Sequence, residues 1–260
     1  SEQDRLTLDN LLDRGRENGV SGLEIISSAE MRRREPTLSP DMTGALFAAT
    51  GGLVDPFQLC YAAAENAVVN GVELRLSTMV TGFLRDGGRI CGITTTQGEY
   101  RGRRIVIAAG LWADELKHAA GLDGFAIRPR KGEYFLLDKA ASSLVHNVLF
   151  PCPTPVSKGI LVTRTIHGNV MLGPNACDID DKYDLSTTAA GLNEVMAGAL
   201  KLVPSLDSRQ VIRTFAGLRA SGNTGDFEIE APTESPGLIV LAGIESPGLT
   251  AAPAIARYVV

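Results

Sequence analysis

The fold is decided by the stretch Gly237–Val260, which reads GLIVLAGIESPGLTAAPAIARYVV. Within it the apolar run Leu238–Ala242 breaks at Gly243 and passes into the turn Ser246-Pro247-Gly248. An alanine-rich segment of helical character follows at once. Strand, glycine turn and helix in this order are typical of an α/β protein, where the helix start faces the carboxyl end of the strand.

The expected start of this last helix indicates what kind of ligand group could bind there. Thr250 is the expected N-cap, and Pro253 fits a first helical turn, where an amide hydrogen has no intrahelical acceptor. The bare amides and the positive end of the helix dipole would suit developing negative charge. A helix that only packs on a sheet has the same pattern, so this stretch alone does not distinguish a ligand site from packing.

A second strand ends in the same way. Arg104–Gly110, RIVIAAG, is an apolar run that stops at small residues and continues into Leu111-Trp112-Ala113-Asp114. Alanine and glycine here let a ligand approach the backbone closely, although close packing of a helix on the strand needs the same residues. The two strands together favour a ligand site over simple packing.

Composition and charge limit the possible functions. The 260 residues are 44% hydrophobic and 21% charged, as in a globular protein, and a net charge of -5 attracts neither nucleic acid nor an anionic membrane. No apolar run reaches the length of a membrane span, and the cysteines lack the close spacing of a zinc or iron-sulfur site. We therefore expect a soluble cytoplasmic protein without a metal site, its cysteines reduced and buried.

The first half of the chain alternates helix and strand signals. Asp55-Pro56 predicts the N-cap and first residue of an alanine-rich helix that ends at Asn70-Gly71. A strand is expected directly afterwards at Val72–Leu76. Further strands alternate with glycine-rich turns and predict a small antiparallel meander at 78–83, 90–96 and 104–108.

Beyond a helix expected at Gly110–Gly121, the pattern becomes that of a larger sheet. A helix from its expected N-cap Ser186 to Leu202 interrupts the strands. The sequence therefore predicts an α/β (α+β) fold of two interleaved layers. The strands of the larger sheet are predicted at 127–138, 147–151, 159–165, 169–173 and 211–219, and the chain returns to the opening motif through 227–232 and 238–244.

Several motifs, taken in order, carry a family resemblance over roughly Gly22 to Val260. They are GGLVDP at 51–56, RIVIAAGLWADEL at 104–116, PRKGEYFLLD at 129–138, FPCPTPVSKGILVTRTIHGNVMLGPNA at 150–176, RTFAGLRAS at 213–221 and AGIESPGLTAAPAIA at 242–256. Together they resemble the D-amino-acid oxidase superfamily of flavoproteins. They are most similar to its glycerol-3-phosphate dehydrogenase-like branch, which neighbours the L-2-hydroxyglutarate oxidases.

The resemblance implies an FAD-binding domain of which one part is missing here. Members of the superfamily begin with a βαβ unit whose Gly-x-Gly-x-x-Gly motif binds the FAD pyrophosphate, and this motif does not occur in the sequence. We expect the remaining part of the FAD-binding domain at 51–117 and 226–260, and a substrate domain with an antiparallel sheet at 1–50 and 118–225. Such a partial FAD-binding sheet would expose apolar edges, which predicts disorder there or self-association.

The residues that the resemblance implies for FAD binding are of two kinds. Those along the dinucleotide are Val80, through its backbone on the adenine side, and Ala109, Gly110 and Trp112. Those at the pyrimidine edge of the flavin are Gly248, Leu249 and Thr250. This agrees with the reading of the last helix from its own residues, because hydride arriving at the flavin puts negative charge at that edge.

Two residues are the candidates for catalysis. Arg219 corresponds to the superfamily's anion-binding arginine, whose planar guanidinium clamps a carboxylate or a phosphate. His167 lies in a turn between two predicted strands and suits a base that accepts a hydroxyl proton, although a hydrogen-bonded turn histidine would look the same. Lys158 and Arg164 are further candidates for anion binding, although each is more typical of a solvated surface charge.

Three functional hypotheses follow. The first is an FAD-dependent dehydrogenase that oxidises a small anionic alcohol such as glycerol 3-phosphate, with an electron acceptor that the sequence does not identify. The second is an oxidase of the same fold acting on L-2-hydroxyglutarate or an amino acid, since one arginine serves phosphate and carboxylate alike. The third is that these residues are an inactive domain of the intact protein, or a binding scaffold.

Overall fold

The computed structural model describes residues 2–153 and 159–260, which fold as two compact units. The first unit comprises Ser1–Asp55, Gly132–Cys177 and Leu185–Gly217, and the second comprises Pro56–Lys131, Asp178–Asp184 and Leu218–Val260. The second unit thus includes 118–131, 178–184 and 218–225, which the predicted division gives to the substrate domain. The assignment of an FAD-binding and a substrate domain to these parts stays a prediction.

The secondary structure is mixed. The α-helices are α1 (Glu2–Glu17), α2 (Ser28–Arg34), α3 (Pro56–Val69), α4 (Ala113–Ala119), α5 (Ala189–Leu202) and α6 (Gly248–Val259). The strands are β1 (Leu23–Ser27), β2 (Gly44–Ala48), β3 (Val80–Asp86), β4 (Arg89–Thr95), β5 (Gly98–Arg101), β6 (Ile105–Ile107), β7 (Ile127–Leu137), β8 (Val162–Arg164), β9 (Val170–Leu172), β10 (Cys177–Asp178), β11 (Val211–Gly222), β12 (Glu228–Glu230) and β13 (Leu238–Ala242). Short 3-10 turns lie at Gly110–Trp112, Lys139–Leu144 and Ser208–Gln210.

The core of the first unit lies between α5 and a five-stranded sheet. The sheet has the order β10-β7-β9-β8, with β11 also paired to β7, and the β7–β9 and β8–β9 pairs are antiparallel. Val195, Ala199 and Leu202 recur at helical spacing on α5 and are buried in the same cluster as Leu137 and Leu172 of the sheet. The predicted antiparallel sheet is therefore present, although Asn147–Pro151 forms only the single bridge Leu149–Val162.

A buried carboxylate fixes the start of α5. Glu133 on β7 accepts hydrogen bonds from the amide and the hydroxyl of Thr188, both at 3.0 Å. Thr188 in turn caps α5 by accepting a hydrogen bond of 3.0 Å from the Gly191 amide. A side chain at position 191 would collide with the Glu133 carboxylate. The expectation that Ser186 caps this helix is wrong, because Glu133 places Thr188 at the cap position.

The second unit contains a three-stranded mixed sheet and a three-stranded antiparallel sheet. The mixed sheet has the order β12-β13-β6, with β13 parallel to β6, and the other sheet has the order β3-β4-β5. The sequence predicted that β6 continues the antiparallel meander, and this is wrong. Ile107 of β6 is buried in one cluster with Leu238 and Val240 of β13, so burial of its apolar side chains holds β6 beside β13. The predicted mixed α/β fold is confirmed.

The strand expected at Val72–Leu76 is not formed. Val72, Leu74 and Leu76 alternate as strand residues do, but they are exposed and the segment pairs with no strand among the described residues. A single extended segment without a neighbour leaves its backbone groups to water and is not stable as a strand. The alternation at Val72–Leu76 is therefore typical of a strand, but among the described residues the segment has no neighbouring strand with which to pair.

Two further observations concern the predicted environment of the chain. Within 2–153 and 159–260, no helix is both long and apolar enough to cross a membrane. None of the four cysteines forms a disulfide, and Cys60 and Cys177 are exposed, so the expectation that the cysteines are buried is wrong. For Cys60 the reason is its position on α3, a helix in which no residue is buried.

An apolar surface runs along α3 and the segment that follows it. The exposed fractions of Tyr61 and Val69 are 65% and 85%. β6 lies at the edge of its sheet, with Val106 exposed. Exposed apolar patches and unpaired strand edges promote association between molecules. We therefore expect these 260 residues on their own to form dimers or larger species at micromolar concentration.

Light scattering across a concentration series measures this association. Val69→Glu and Val106→Lys are expected to shift the distribution towards monomer, because the first places a charge on this apolar surface and the second places one on the edge strand β6. The matched control is Ile212→Lys, which changes an exposed apolar residue of β11 outside that surface. A strict monomer at every concentration, with the wild-type sequence, would contradict the prediction.

Candidate functional site

The parallel pair β6–β13 brings the two strand ends highlighted by the sequence to one edge of a sheet. Leu238 pairs with Ile105, and Val240 with Ile107, so both strands run towards the same edge. β6 continues there into Ala108-Ala109-Gly110, and β13 into the turn that starts α6. The carboxyl ends of parallel strands are where α/β proteins bind nucleotides. This edge is the candidate functional site.

The turn after β6 leaves open space at the edge. Gly110 has a φ of +55°, and a Cβ built on it would meet no atom within 4 Å. Ala109, directly before it, is half-buried, and Trp112 is 38% exposed. Small residues in an unusual backbone conformation beside open space allow a ligand to lie against the main chain. The structure thus brings Ala109, Gly110 and Trp112 together in the turn after β6, and their role along the dinucleotide stays a prediction.

The start of α6 lies after β13 at the same edge, three residues earlier than predicted, because its N-cap is Pro247 and not Thr250. The helix begins at Gly248, whose amide donates to the Glu245 carbonyl, so Thr250 lies inside the first turn and is not the N-cap. Pro253 is also beyond the first turn. The Gly248 amide is engaged by Glu245, but no side chain among the described residues caps this start, so the helix dipole and the amides of Leu249 and Thr250 remain available to a ligand. Leu249 and Thr250 are exposed there.

Gly248 is required by its surroundings. A Cβ at this position would lie 2.5 Å from the Cγ2 atom of Ile244, which precedes the turn. The helix start can therefore approach the end of β13 only with glycine at 248.

Val80 lies in a different sheet from the other residues implied for the dinucleotide. It is the first residue of β3 and pairs with Thr95 of β4, and its side chain is half-buried. Its backbone role at the adenine side stays a prediction.

Arg219 is half-buried on β11, in the second unit. Two residues further on the same face of the strand, the Ser221 hydroxyl donates to Glu245 Oε1 at 3.3 Å, and Glu245 belongs to the turn before α6. Arg219 therefore lies two residues from a side-chain contact with the turn before α6, and all of these residues belong to the second unit.

His167 lies in the first unit, in the turn between β8 and β9, and its side chain is 60% exposed. Its Nε2 atom is 3.3 Å from Oδ2 of Asp55. A carboxylate on one ring nitrogen fixes the orientation of an imidazole, as it does for a catalytic base, and the same pair is common as a surface contact. Arg164 is exposed at the end of β8, and Lys158 lies outside the described residues.

The residues that contact the turn after β6 and the start of α4 were not predicted from the sequence. The ring centroids of Trp112 and Tyr183 are 5.7 Å apart, and Lys182 donates to Asp114 Oδ1 at 2.7 Å. The signal that was available is the charge of the segment 178–184, DIDDKYD, which is opposite to that of Arg128, Arg130 and Lys131.

Asp114, at the start of α4, is held ionised by its surroundings. Its burial alone would raise the pKa of this carboxyl, but the hydrogen bonds from Lys182 and from the Ile127 amide outweigh burial and lower the pKa below its usual value. The negative charge at this end of α4 also interacts favourably with the helix dipole.

Proteins of known function match the chain over almost its whole length. Glycerol 3-phosphate dehydrogenase of Caloramator mitchellensis is 43% identical over 255 residues, which cover 98% of this chain and 53% of that protein. Glycerol 3-phosphate oxidase of Mycoplasma genitalium is 30% identical over 269 residues, which cover 100% of this chain and 70% of that protein. The chain therefore spans about half the length of the first relative and about two thirds of the second.

A solved structure shows the same fold. Dithionite-reduced L-alpha-glycerophosphate oxidase from Mycoplasma pneumoniae, with FAD bound, superposes with a TM-score of 0.90 at 30% identity and covers 100% of this chain and 69% of that chain. The family described as FAD dependent oxidoreductase matches residues 1–260. The chain thus belongs to the family of FAD-dependent oxidoreductases.

Proposed function

We propose that the natural protein carrying this chain oxidises glycerol 3-phosphate, with FAD as the hydride acceptor. The observation that carries the proposal is the parallel pair β6–β13, whose shared edge ends in Gly110 on one strand and in the start of α6 on the other. It is supported by relatives named for glycerol 3-phosphate that match the whole chain. The electron acceptor is left open.

The residues at this edge fit part of a flavin dinucleotide. The open space at Gly110 accommodates a ligand against the backbone, and the uncapped start of α6 offers amides to a group that gains negative charge. FAD, when bound, supplies an acceptor for two electrons and a proton as hydride. The residues proposed to line it are Ala109, Gly110, Trp112, Gly248, Leu249 and Thr250, with Val80 at the adenine side.

Arg219 is the proposed anion clamp for the substrate. A guanidinium offers paired donors that match two oxygens of a phosphate, and it stays charged throughout the physiological pH range. Its position on a rigid strand limits the freedom of a phosphate bound to it. The clamp fixes the substrate at its non-reacting end, so that the carbon–hydrogen bond at the other end is presented in a constant orientation.

His167 is the proposed base for the substrate hydroxyl. Oxidation of an alcohol to a carbonyl releases the hydroxyl proton, and an imidazole accepts it near neutral pH. Asp55, whose Oδ2 lies 3.3 Å from Nε2 of His167, would then stabilise the imidazolium. An isosteric change, His167→Asn, separates this role from a purely structural one, because it retains a hydrogen-bonding side chain but not the proton acceptor.

Two alternatives remain. An oxidase for L-2-hydroxyglutarate or an amino acid would use the same arginine for a carboxylate. In the other alternative, these 260 residues are a folded but inactive domain or scaffold, and a titration that showed stoichiometric, tight FAD binding by them would contradict it. The cytoplasmic location stays a prediction from the composition of the sequence.

The test is anaerobic reduction of the flavin in the intact natural protein. We expect glycerol 3-phosphate to bleach the flavin absorbance, and L-2-hydroxyglutarate and amino acids to leave it unchanged at equal concentration. Bleaching by a carboxylate substrate alone would keep the flavin assignment and overturn the substrate. A natural protein that binds no flavin would overturn the proposed function as a whole.

A further inference from the structure

The segment 178–184, here called the strap, lies across the beginning of β7 and the start of α4 within the second unit. Its sequence DIDDKYD contains aspartates and a single lysine. Asp178 belongs to β10, which pairs with β7, and directly after it the Ile179 amide donates to the Pro129 carbonyl at 2.9 Å. The side chains of the strap add ion pairs of complementary charge and one aromatic contact.

Three aspartates of the strap face three cations of β7. Asp178 accepts two hydrogen bonds from Arg130, at 2.7 and 3.3 Å, and Asp180 lies 3.4 Å from Arg128. Asp184 accepts a hydrogen bond of 2.7 Å from Lys131. Lys131 is buried, so this ion pair offsets part of the cost of removing its ammonium group from water. The arginine beside Asp178 holds the pKa of that carboxyl below its usual value.

Lys182, the single lysine of the strap, pairs with carboxylates of α4, whereas the strap's aspartates pair with cations of β7. Lys182 donates to Asp114 Oδ1 at 2.7 Å and to Glu115 Oε1 at 2.8 Å, both in the first turn of α4. Asp114 is itself tied to the backbone, since its Oδ2 atom accepts from the Ile127 amide at 3.0 Å. Lys182 therefore links the strap to the junction of α4 and β7, in a largely buried position.

Tyr183 continues this contact to the turn after β6. Its ring lies 5.7 Å from the Trp112 ring at an interplanar angle of 54°. The Trp112 amide donates to the Ala109 carbonyl at 3.1 Å and closes the 3-10 turn that contains Gly110. A direct series of contacts thus leads from Lys182 and Tyr183 to the turn that lines the candidate site.

We propose that the strap is a positioning element of the cofactor site, with Lys182 and Tyr183 as its positioning residues. It holds Trp112 and the start of α4 in place, so the turn Ala109–Gly110 has its binding conformation before the dinucleotide arrives. A site formed in advance binds more tightly, because less conformational entropy is lost on binding. The inference rests on the proposed function, since it assigns the strap to the FAD site.

Trp112 reports on the strap directly, because it is the only tryptophan of the chain. In Lys182→Met the ion pairs to α4 are lost while the aliphatic stem is kept. We expect altered tryptophan emission and greater quenching by acrylamide, with Lys182→Arg restoring both. The matched control is Lys201→Met on α5, an exposed lysine of the first unit, which is expected to leave the emission unchanged.

The second measurement is the affinity of the intact natural protein for FAD. Loss of a largely buried charged contact is expected to raise the Kd of Lys182→Met about tenfold, and Lys182→Arg should return it close to the wild-type value. An unchanged emission in Lys182→Met, or a changed emission with an unchanged Kd, overturns the inference and leaves the proposed function intact. Absence of FAD binding by the wild-type natural protein instead overturns the proposed function, and the inference with it.

Discussion

Replacing Arg219 by alanine in the intact natural protein is expected to lower kcat/KM for glycerol 3-phosphate by about 100-fold or more. Hydrogen bonds between charged groups contribute about 1.5–3 kcal/mol each, and a guanidinium offers two of them to one phosphate. Most of the change should appear in KM, because the clamp binds the end of the substrate that does not react. Steady-state kinetics of the purified holoenzyme measures both constants.

The matched control is Arg213→Ala. Arg213 lies on the same strand, in the part that belongs to the first unit, and it is exposed. Arg219→Lys should fall between wild type and Arg219→Ala, because it keeps the charge but loses the paired donors. If Arg219→Ala retained the wild-type kcat/KM, Arg219 would not bind the anionic group of the substrate, whether that group is a phosphate or a carboxylate.

Replacing Lys117 by methionine is expected to destabilise the second unit by about 2–3 kcal/mol. Lys117 on α4 is buried, and its Nζ atom lies 2.5 Å from Glu228 Oε2 and 2.8 Å from Glu230 Oε1, both on β12. Removal of one member of a buried ionic group costs about 3–5 kcal/mol, and the partial exposure of the two glutamates reduces this figure here. Urea denaturation followed by Trp112 fluorescence measures the change, since Trp112 lies in the same unit.

The control for this variant is Lys139→Met, which changes an exposed lysine and is expected to alter stability by less than about 0.5 kcal/mol. An equal midpoint for Lys117→Met and wild type would contradict the prediction. Burial alone would lower the pKa of Lys117, but the hydrogen bonds to Glu228 and Glu230 raise it above 10.5. The stabilisation is therefore complete at neutral pH and is lost as the pH rises through this elevated pKa.

The parts of the candidate site that the sequence predicted are those with local signals. The apolar run Leu238–Ala242, its glycine turn and the following helix are each visible within a few residues, and the structure has them in that order. The small residues after β6 were identified in the same way. The helix start was misplaced by three residues, because the N-cap is Pro247 and not Thr250, and the first i to i−4 hydrogen bond runs from the Ala251 amide to the Pro247 carbonyl.

The parts that the sequence did not predict depend on contacts between distant residues. The alternation of Val72–Leu76 indicates a strand, but a strand needs a neighbour, and local pattern contains no information about that neighbour. The local sequence of β6 is that of a further strand of the meander, and only its distant partner β13 distinguishes it from one. The contact of Lys182 with Asp114 joins residues 68 positions apart, which only the folded chain brings together.

Glu133 has a consequence for the order in which the first unit forms. The carboxylate on β7 that holds Thr188 lies 55 positions before it in the sequence, so the capped start of α5 gains this second support only once the sheet is in place. Helix ends usually fray independently of the rest of a protein. Here the first turn of α5 cannot open without leaving a buried carboxylate short of hydrogen-bond donors. We therefore expect the amide protons of Thr188 and Gly191 to exchange with solvent more slowly than those of a helix end without such a partner in a sheet, because both amides donate within this arrangement.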